Sequence, residues 1–195
     1  MTRVDSGTRE RLLTVAERLL LESGYDEVSV RAVCTAANVN PAAVHYHFGS
    51  KVGLVSALLQ ARLGPLWQVS LADRADAEHL DTAEAVRIVV DPLVVLAADP
   101  AGRLYLNLLS RLLLARQEVS WTQHWFSLTP WAELLQRNVP GLTTAEAKHR
   151  WMLAFELIFL QFGDPLAGDR RLSSRQVDTL CTVISAGLSA PAVAR

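Results

Sequence analysis

Apolar residues recur along this chain at three- and four-residue spacing, and strand-like alternation is missing. The pattern predicts an all-α protein. Leu12, Leu13, Val15, Ala16, Leu19 and Leu20 form one face of a helix over about 8–23, which Gly24 should stop. Ser29 is placed to cap a short helix over 30–37 by accepting from the free amides of its first turn. Asn38 suits the left-handed turn after it, Val39 plugs that turn, and Asn40 caps a helix that Pro41 opens and Gly49 closes. Ser50 caps a fourth helix starting at Lys51, which Pro65 should kink or end. Two short helices joined by so tight a turn outline a helix-turn-helix.

Longer helices follow. The polar stretch 74–81 reads as an exposed connection between domains. Asp81 with Glu84 forms a capping box for a helix over 82–98 with a kink at Pro92. Pro100 opens a helix to about Arg116, and the segment 121–138 is interrupted by Pro130. Thr143 with Glu146 and Ser173 with Gln176 are further capping boxes, opening helices to Phe162 and about Leu188. The organisation expected is an N-terminal domain over 1–50 and a larger helical domain over 51–195.

Composition narrows the class. With 195 residues, half of them hydrophobic and a fifth charged, the chain can bury a sizeable core. No apolar run reaches membrane-spanning length, and 1–10 lacks the apolar stretch of a secretory signal. Cys34 and Cys181 sit in separate apolar helical patterns and read as small buried residues of a cytoplasmic protein rather than a disulfide. The net charge of −1 weighs against a protein that coats nucleic acid, but leaves room for a site-specific binder with a local basic face.

The ring cluster His45-Tyr46-His47-Phe48 carries the candidate chemistry. Val44 and Phe48 share a face and should pack inward, leaving Ala42, Ala43, His45 and Tyr46 to point outward. Small methyls at 42 and 43 allow close approach to a groove floor, and His45 and Tyr46 offer hydrogen-bonding tips to bases. His47 and Lys51 are placed for phosphates, as is Arg31. His45 and His47 diverge on the helix with no further ligand nearby, so neither a metal nor another cofactor is expected. Bases and acids nearly balance over the first sixty-two residues, so a modest salt dependence of DNA binding is expected.

The stretch "VSVRAVCTAANVNPAAVHYHFGSKVGLVSALL" resembles the DNA-binding region of the TetR family of bacterial transcriptional regulators. The resemblance covers about 8–59. It implies that Arg31, Asn40, Pro41, Ala42, Ala43, His45, Tyr46, His47 and Lys51 lie at the DNA-contacting surface. Three positions depart from the family's habit: Cys34 replaces a usual Ala, Asn38 a usual Gly, and His45 a usual Tyr. Only the last alters a potential DNA contact. The resemblance further implies a homodimer on a palindromic double-stranded operator, with repression relieved by a small molecule held in the C-terminal domain.

The sequence supports that second half in part. The helix 145–162 is apolar nearly all round, which predicts burial on more than one side. Trp151, Ile158, Phe159 and Phe162, with Val177, Leu180 and Ile184 of the last helix, are expected at a four-helix dimer interface, the alternative being that both helices complete a monomeric core. Tyr105, Trp121, Trp125, Phe126, Trp131 and Phe155 are the candidate walls of a pocket for an apolar or aromatic effector, with Asn107, His124 and Gln161 as polar groups. Asp91 and Glu156 interrupt apolar runs and need partners if buried; Arg111 is one structural candidate, and the alternative is that one of these carboxylates recognises a cationic or hydrogen-bonding ligand. Competing readings are a helical interaction protein with a degenerate DNA-binding head, or an enzyme. No phosphate loop, G-x-S-x-G elbow or H-E-x-x-H spacing favours the enzyme.

Overall fold

The computed structural model describes residues 3–75, 80–116, 119, 121–164 and 171–192, with side chains described over 7–67 and from Leu80 onward within those ranges. The described residues hold α-helices and one 3₁₀ turn, with no strand. Residues 76–79 of the polar stretch 74–81, the expected connection, lie outside the described residues.

Helix α1 spans Arg3–Glu27, α2 Val30–Ala36, α3 Ala42–Phe48 and α4 Lys51–Ala75. In α1 the stop at Gly24 is a break, with φ 78° and ψ 172°, after which one more turn reaches Glu27. Ser29 caps α2 by accepting from the Ala32 amide at 3.1 Å. Asn38 takes the left-handed conformation, φ 51°, that its short polar side chain tolerates. The Asn40 side chain accepts from the Ala42 amide at 2.8 Å, and Ser50 from the Gly53 amide at 3.0 Å, so both later helix starts are capped. Helix α4 runs on through Pro65 rather than ending there.

The body consists of α5 (Thr82–Leu96), α6 (Pro100–Leu114), α7 (Leu128–Asn138), α8 (Thr144–Phe162) and α9 (Ser174–Leu188), with a 3₁₀ turn at His124–Phe126. Asp81–Glu84 and Ser173–Gln176 are complete capping boxes. Thr143 accepts from the Glu146 amide, but the Glu146 carboxylate turns to Arg150 at 2.6 Å instead of closing a box. Arg150 also donates to the Leu188, Ala190 and Pro191 carbonyls, satisfying acceptors at the end of α9. Pro130 does not interrupt α7. The break is at Ser127, and Pro130 sits in the first turn, where a missing N–H breaks no helical bond.

One apolar core runs through head and body. Leu12, Leu13, Val33, Cys34, Val44 and Leu54 fill the head, and Val89, Leu106, Trp131, Trp151 and Ile158 fill the body. Two polar clamps tie the parts together, and both use α6. In the first, Tyr105 donates to Glu17 of α1, while Arg62 of α4 donates to the same carboxylate at 2.8 and 3.0 Å. In the second, Arg111 pairs with Asp26 at 2.5 Å and lies 4.5 Å from the centre of the Tyr25 ring. Neither Asp91 nor Glu156 takes Arg111, as the sequence had suggested. Asp91 is exposed beside Arg87 at 3.6 Å, and half-buried Glu156 faces Arg116 at 3.8 Å.

Candidate nucleic-acid interface and internal cavity

Seven residues make α3, and its periodicity divides them cleanly. Val44 is fully buried, and Phe48 packs against the core with the Arg9 guanidinium 5.4 Å from its ring centre. Ala42, His45 and Tyr46 point outward and continue the exposed strip begun by Asn40 and Pro41. Tyr46 is 76% exposed, the largest value among the exposed large hydrophobic residues. Ala43 and His47 are half-buried, so they stand at the edge of the strip rather than on it. The His47 ring lies between those of Tyr46 and Phe48, at 5.0 and 6.0 Å.

The departures from the family pattern now have physical roles. Cys34 is buried at the α2–α3 turn, its thiol 3.7 Å from the Pro41 carbonyl. His45 Nδ1 lies 2.8 Å from the Gly49 carbonyl, which can only accept, so Nδ1 carries the proton. With the proton on Nδ1, Nε2 is the nitrogen left to act as an acceptor in the neutral ring. Gly53 lets α3 end close above α4, because a Cβ there would meet the Phe48 carbonyl oxygen at 1.9 Å.

Charge placement corrects one expectation. Lys51 turns inward, donating to the Tyr25 carbonyl at 2.6 Å with its ammonium 4.1 Å from the Tyr25 ring centre. Burial holds its pKa below the ordinary lysine value, against the pull of nearby Asp26. It links the end of α1 to the start of α4 instead of pointing at a phosphate. Arg18 pairs with Glu22 at 3.0 Å and Arg62 with Glu17 and Glu10, whereas exposed Arg31 of α2 has no ion pair among the described residues. In the Arg62 clamp, burial pushes Glu17 up, but the hydrogen bonds from Arg62 and Tyr105 and the Arg62 charge outweigh it. Its pKa falls below the ordinary value. Burial and the bond to Glu17 push the Tyr105 phenol up to about 12.

The body encloses a cavity of about 560 Å³, within the range of small-molecule sites. Of the expected walls, Trp121, Trp125, Phe126, Trp131 and Phe155 line it; Tyr105, Asn107, His124 and Gln161 do not. Tyr105 is spent in the first clamp. The rings form a connected set: Trp121 stacks on Phe126 at 5.0 Å, and Trp131 meets Trp125, Trp151 and Phe155 at 5.1–5.7 Å. The Trp131 Nε1 donates to the Trp125 carbonyl at 3.0 Å.

Several wall residues were missed in the sequence. Trp67 of α4 reaches in from outside the tryptophan-rich segment and meets Phe126 edge-on at 5.8 Å. Leu109, Leu112 and Leu113 come from α6, and Lys148, Met152, Glu156 and Phe159 share the cavity face of α8 with Phe155. Their three- and four-residue spacing was a signal available in the sequence. The residues expected at a dimer interface lie elsewhere than expected. Trp151, Ile158, Phe159, Val177, Leu180 and Ile184 are buried inside the protomer, and Phe162 is half-buried against its core. The outward faces of α8 and α9 carry Leu153, Leu160 and Val183 instead, 49%, 57% and 55% exposed.

A Ser-capped helix, a tight left-handed turn and a short helix with one buried and one exposed face define a helix-turn-helix head. Residues 12–58 match the model of the bacterial regulatory proteins of the tetR family. The chain is 33% identical over 99 residues to the HTH-type transcriptional regulator UidR of Escherichia coli K12, and equally to that of Shigella flexneri. The match covers 49% of this chain and 46% of each relative, so it spans about half of their length. A TetR transcriptional regulator from Legionella pneumophila aligns over 90% of this chain and 94% of its own, with 19% identity and a TM-score of 0.46. No helix among the described residues is long and apolar enough to cross a membrane.

Proposed function

We propose that this protein is a cytoplasmic, ligand-responsive repressor that binds a palindromic DNA operator as a homodimer. The observation that carries the reading is the outward strip Asn40, Pro41, Ala42, His45 and Tyr46 on α3. A helix presenting small residues at its start and two polar rings beside them suits the major groove, where the first turns of a recognition helix meet base edges. In its neutral form His45, with Nε2 as acceptor, would pair with the amino group of adenine or cytosine. Arg31 supplies a phosphate contact at the margin, and half-buried His47 and Ala43 back the strip.

The effector site is the aromatic cavity, and α4 and α6 connect it to the head. Trp67 of α4 and Leu112 of α6 line the cavity, while Arg62 and Tyr105 of the same helices hold Glu17 of α1. On α4, the Gln60 carbonyl oxygen of the side chain accepts from the Thr122 amide and hydroxyl at 2.7 and 2.8 Å, next to wall residue Trp121. A ligand that moves this wall would shift the angle of the head and lower operator affinity, provided it favours one geometry over the other. The dimer would form through the outward faces of α8 and α9.

Footprinting on DNA flanking the protein's own coding region tests the reading. The expected result is a protected site of two-fold symmetric sequence, matched by a dimeric solution mass that Leu160→Glu with Val183→Glu reduces to that of a monomer. Protection without symmetry, or a wild-type monomer on the operator, would contradict it.

A further inference from the structure

We infer that the cavity takes an amphipathic organic monoanion, a flat aromatic or apolar body bearing one carboxylate. The inference rests on the proposed reading of the chain as effector-responsive and names the class of effector. The walls supply the body's environment: indole and phenyl rings from four parts of the chain, with leucines from α6. The polar groups left over supply the charge.

Glu156, the carboxylate on the wall, already faces Arg116 at 3.8 Å. Lys148 lies on the same face of α8, eight residues and so about 12 Å along the axis from Glu156. It has no ion-pair partner among the described residues, which leaves one unmatched positive charge on the wall.

Two further features are donors without acceptors. Trp67 is buried on the wall, and its Nε1 has no hydrogen-bond partner among the described residues. Buried N–H groups ordinarily find one; this nitrogen is closed off from the cavity itself, so a ligand acceptor would reach it only if the indole turned. Ser127, Leu128 and Thr129, at the start of α7, also line the cavity, and no side chain caps that helix. Ser127 spends its hydroxyl on the His124 carbonyl at 2.9 Å, so the first-turn amides remain open toward negative charge. The unmatched cation and the helix start both favour an acceptor. A cationic ligand would meet an excess of like charge, and a neutral hydrocarbon would leave the donors unpaired.

Calorimetric titration of the full chain with three matched probes tests this: 2-naphthylacetate, its neutral amide 2-naphthylacetamide, and the cation 2-(2-naphthyl)ethylamine. The carboxylate should bind roughly tenfold or more tightly than the amide, and the amine most weakly. Lys148→Met should reduce the carboxylate's advantage to about twofold or less while leaving amide binding in place, and Lys148→Arg should keep the advantage. Amide binding by Lys148→Met serves as the check that the variant is folded. The inference is overturned if the amine binds as well as the carboxylate, if Lys148→Met keeps the full preference, or if none of the probes binds at millimolar concentration. Operator release is read separately. Carboxylate-selective binding that leaves DNA affinity unchanged would uphold the ligand class and sink the effector-responsive reading alone.

Discussion

Helices α3 and α8 illustrate two ways in which a sequence discloses function. Helix α3 is short, with neighbours in sequence that are also its neighbours in space. Its start is set by Asn40 and Pro41, its end by Gly49, and its inward anchors Val44 and Phe48 fix which residues face out. Helix α8 is apolar nearly all round, and every face has a different occupant: the body core at Trp151 and Ile158, the cavity at Lys148 and Phe155, and solvent at Leu153 and Leu160. Local chemistry resolves the first case. In the second, only packing against helices distant in sequence tells the faces apart.

The sharpest way to break this contrast is to truncate one aromatic residue in each region. Trp131→Ala removes a buried indole from the connected ring set and should destabilise the fold by about 3–5 kcal/mol. Tyr46→Ala removes an exposed ring and should cost less than about 0.5 kcal/mol. Chemical denaturation of both variants gives the two values side by side. Similar losses at both sites would mean that α3 is not the free surface described.

An intermediate effect is expected where the two regions meet. Glu17→Gln weakens the clamp among α1, α4 and α6 and should lower stability at neutral pH by roughly 1–2 kcal/mol. Because the folded pKa of Glu17 is depressed, its contribution is present above the ordinary value of 4.5 and is lost as pH falls through the lower folded value. Melting followed down through that window should therefore show a shallower acid loss in the variant than in wild type. Parallel curves would place the coupling of head and body elsewhere.

The smallest effect concerns the charged margin of the head. Arg31→Ala should reduce the slope of log affinity against log salt by about one phosphate equivalent per subunit, whatever the DNA sequence. An unchanged slope would remove Arg31 from the interface.

Much of the head was legible in the sequence. The capping residues Ser29, Asn40 and Ser50, the left-handed Asn38 and the inward Val44 all stand where periodicity and turn chemistry put them. Lys51 did not follow, because its partner is a backbone carbonyl twenty-six residues away, beyond the reach of any local rule. Arg111 failed for the same reason: its acid, Asp26, belongs to another helix. In the body, aromatic content pointed to five true wall residues but could not separate cavity from core. Trp151, Ile158, Phe159, Val177, Leu180 and Ile184, expected at a dimer interface, are residues that the protomer itself buries, which periodicity alone cannot distinguish from an interface.

The central claim is that the outward strip of α3 reads operator bases. It is tested most directly by titrating wild type and the double variant His45→Ala, Tyr46→Ala against the footprinted operator and a scrambled duplex at one salt concentration. The account predicts that the double variant loses about 10–1,000-fold of operator affinity while its binding to the scrambled duplex and its melting temperature hold. Operator affinity equal to wild type in a folded double variant would contradict it.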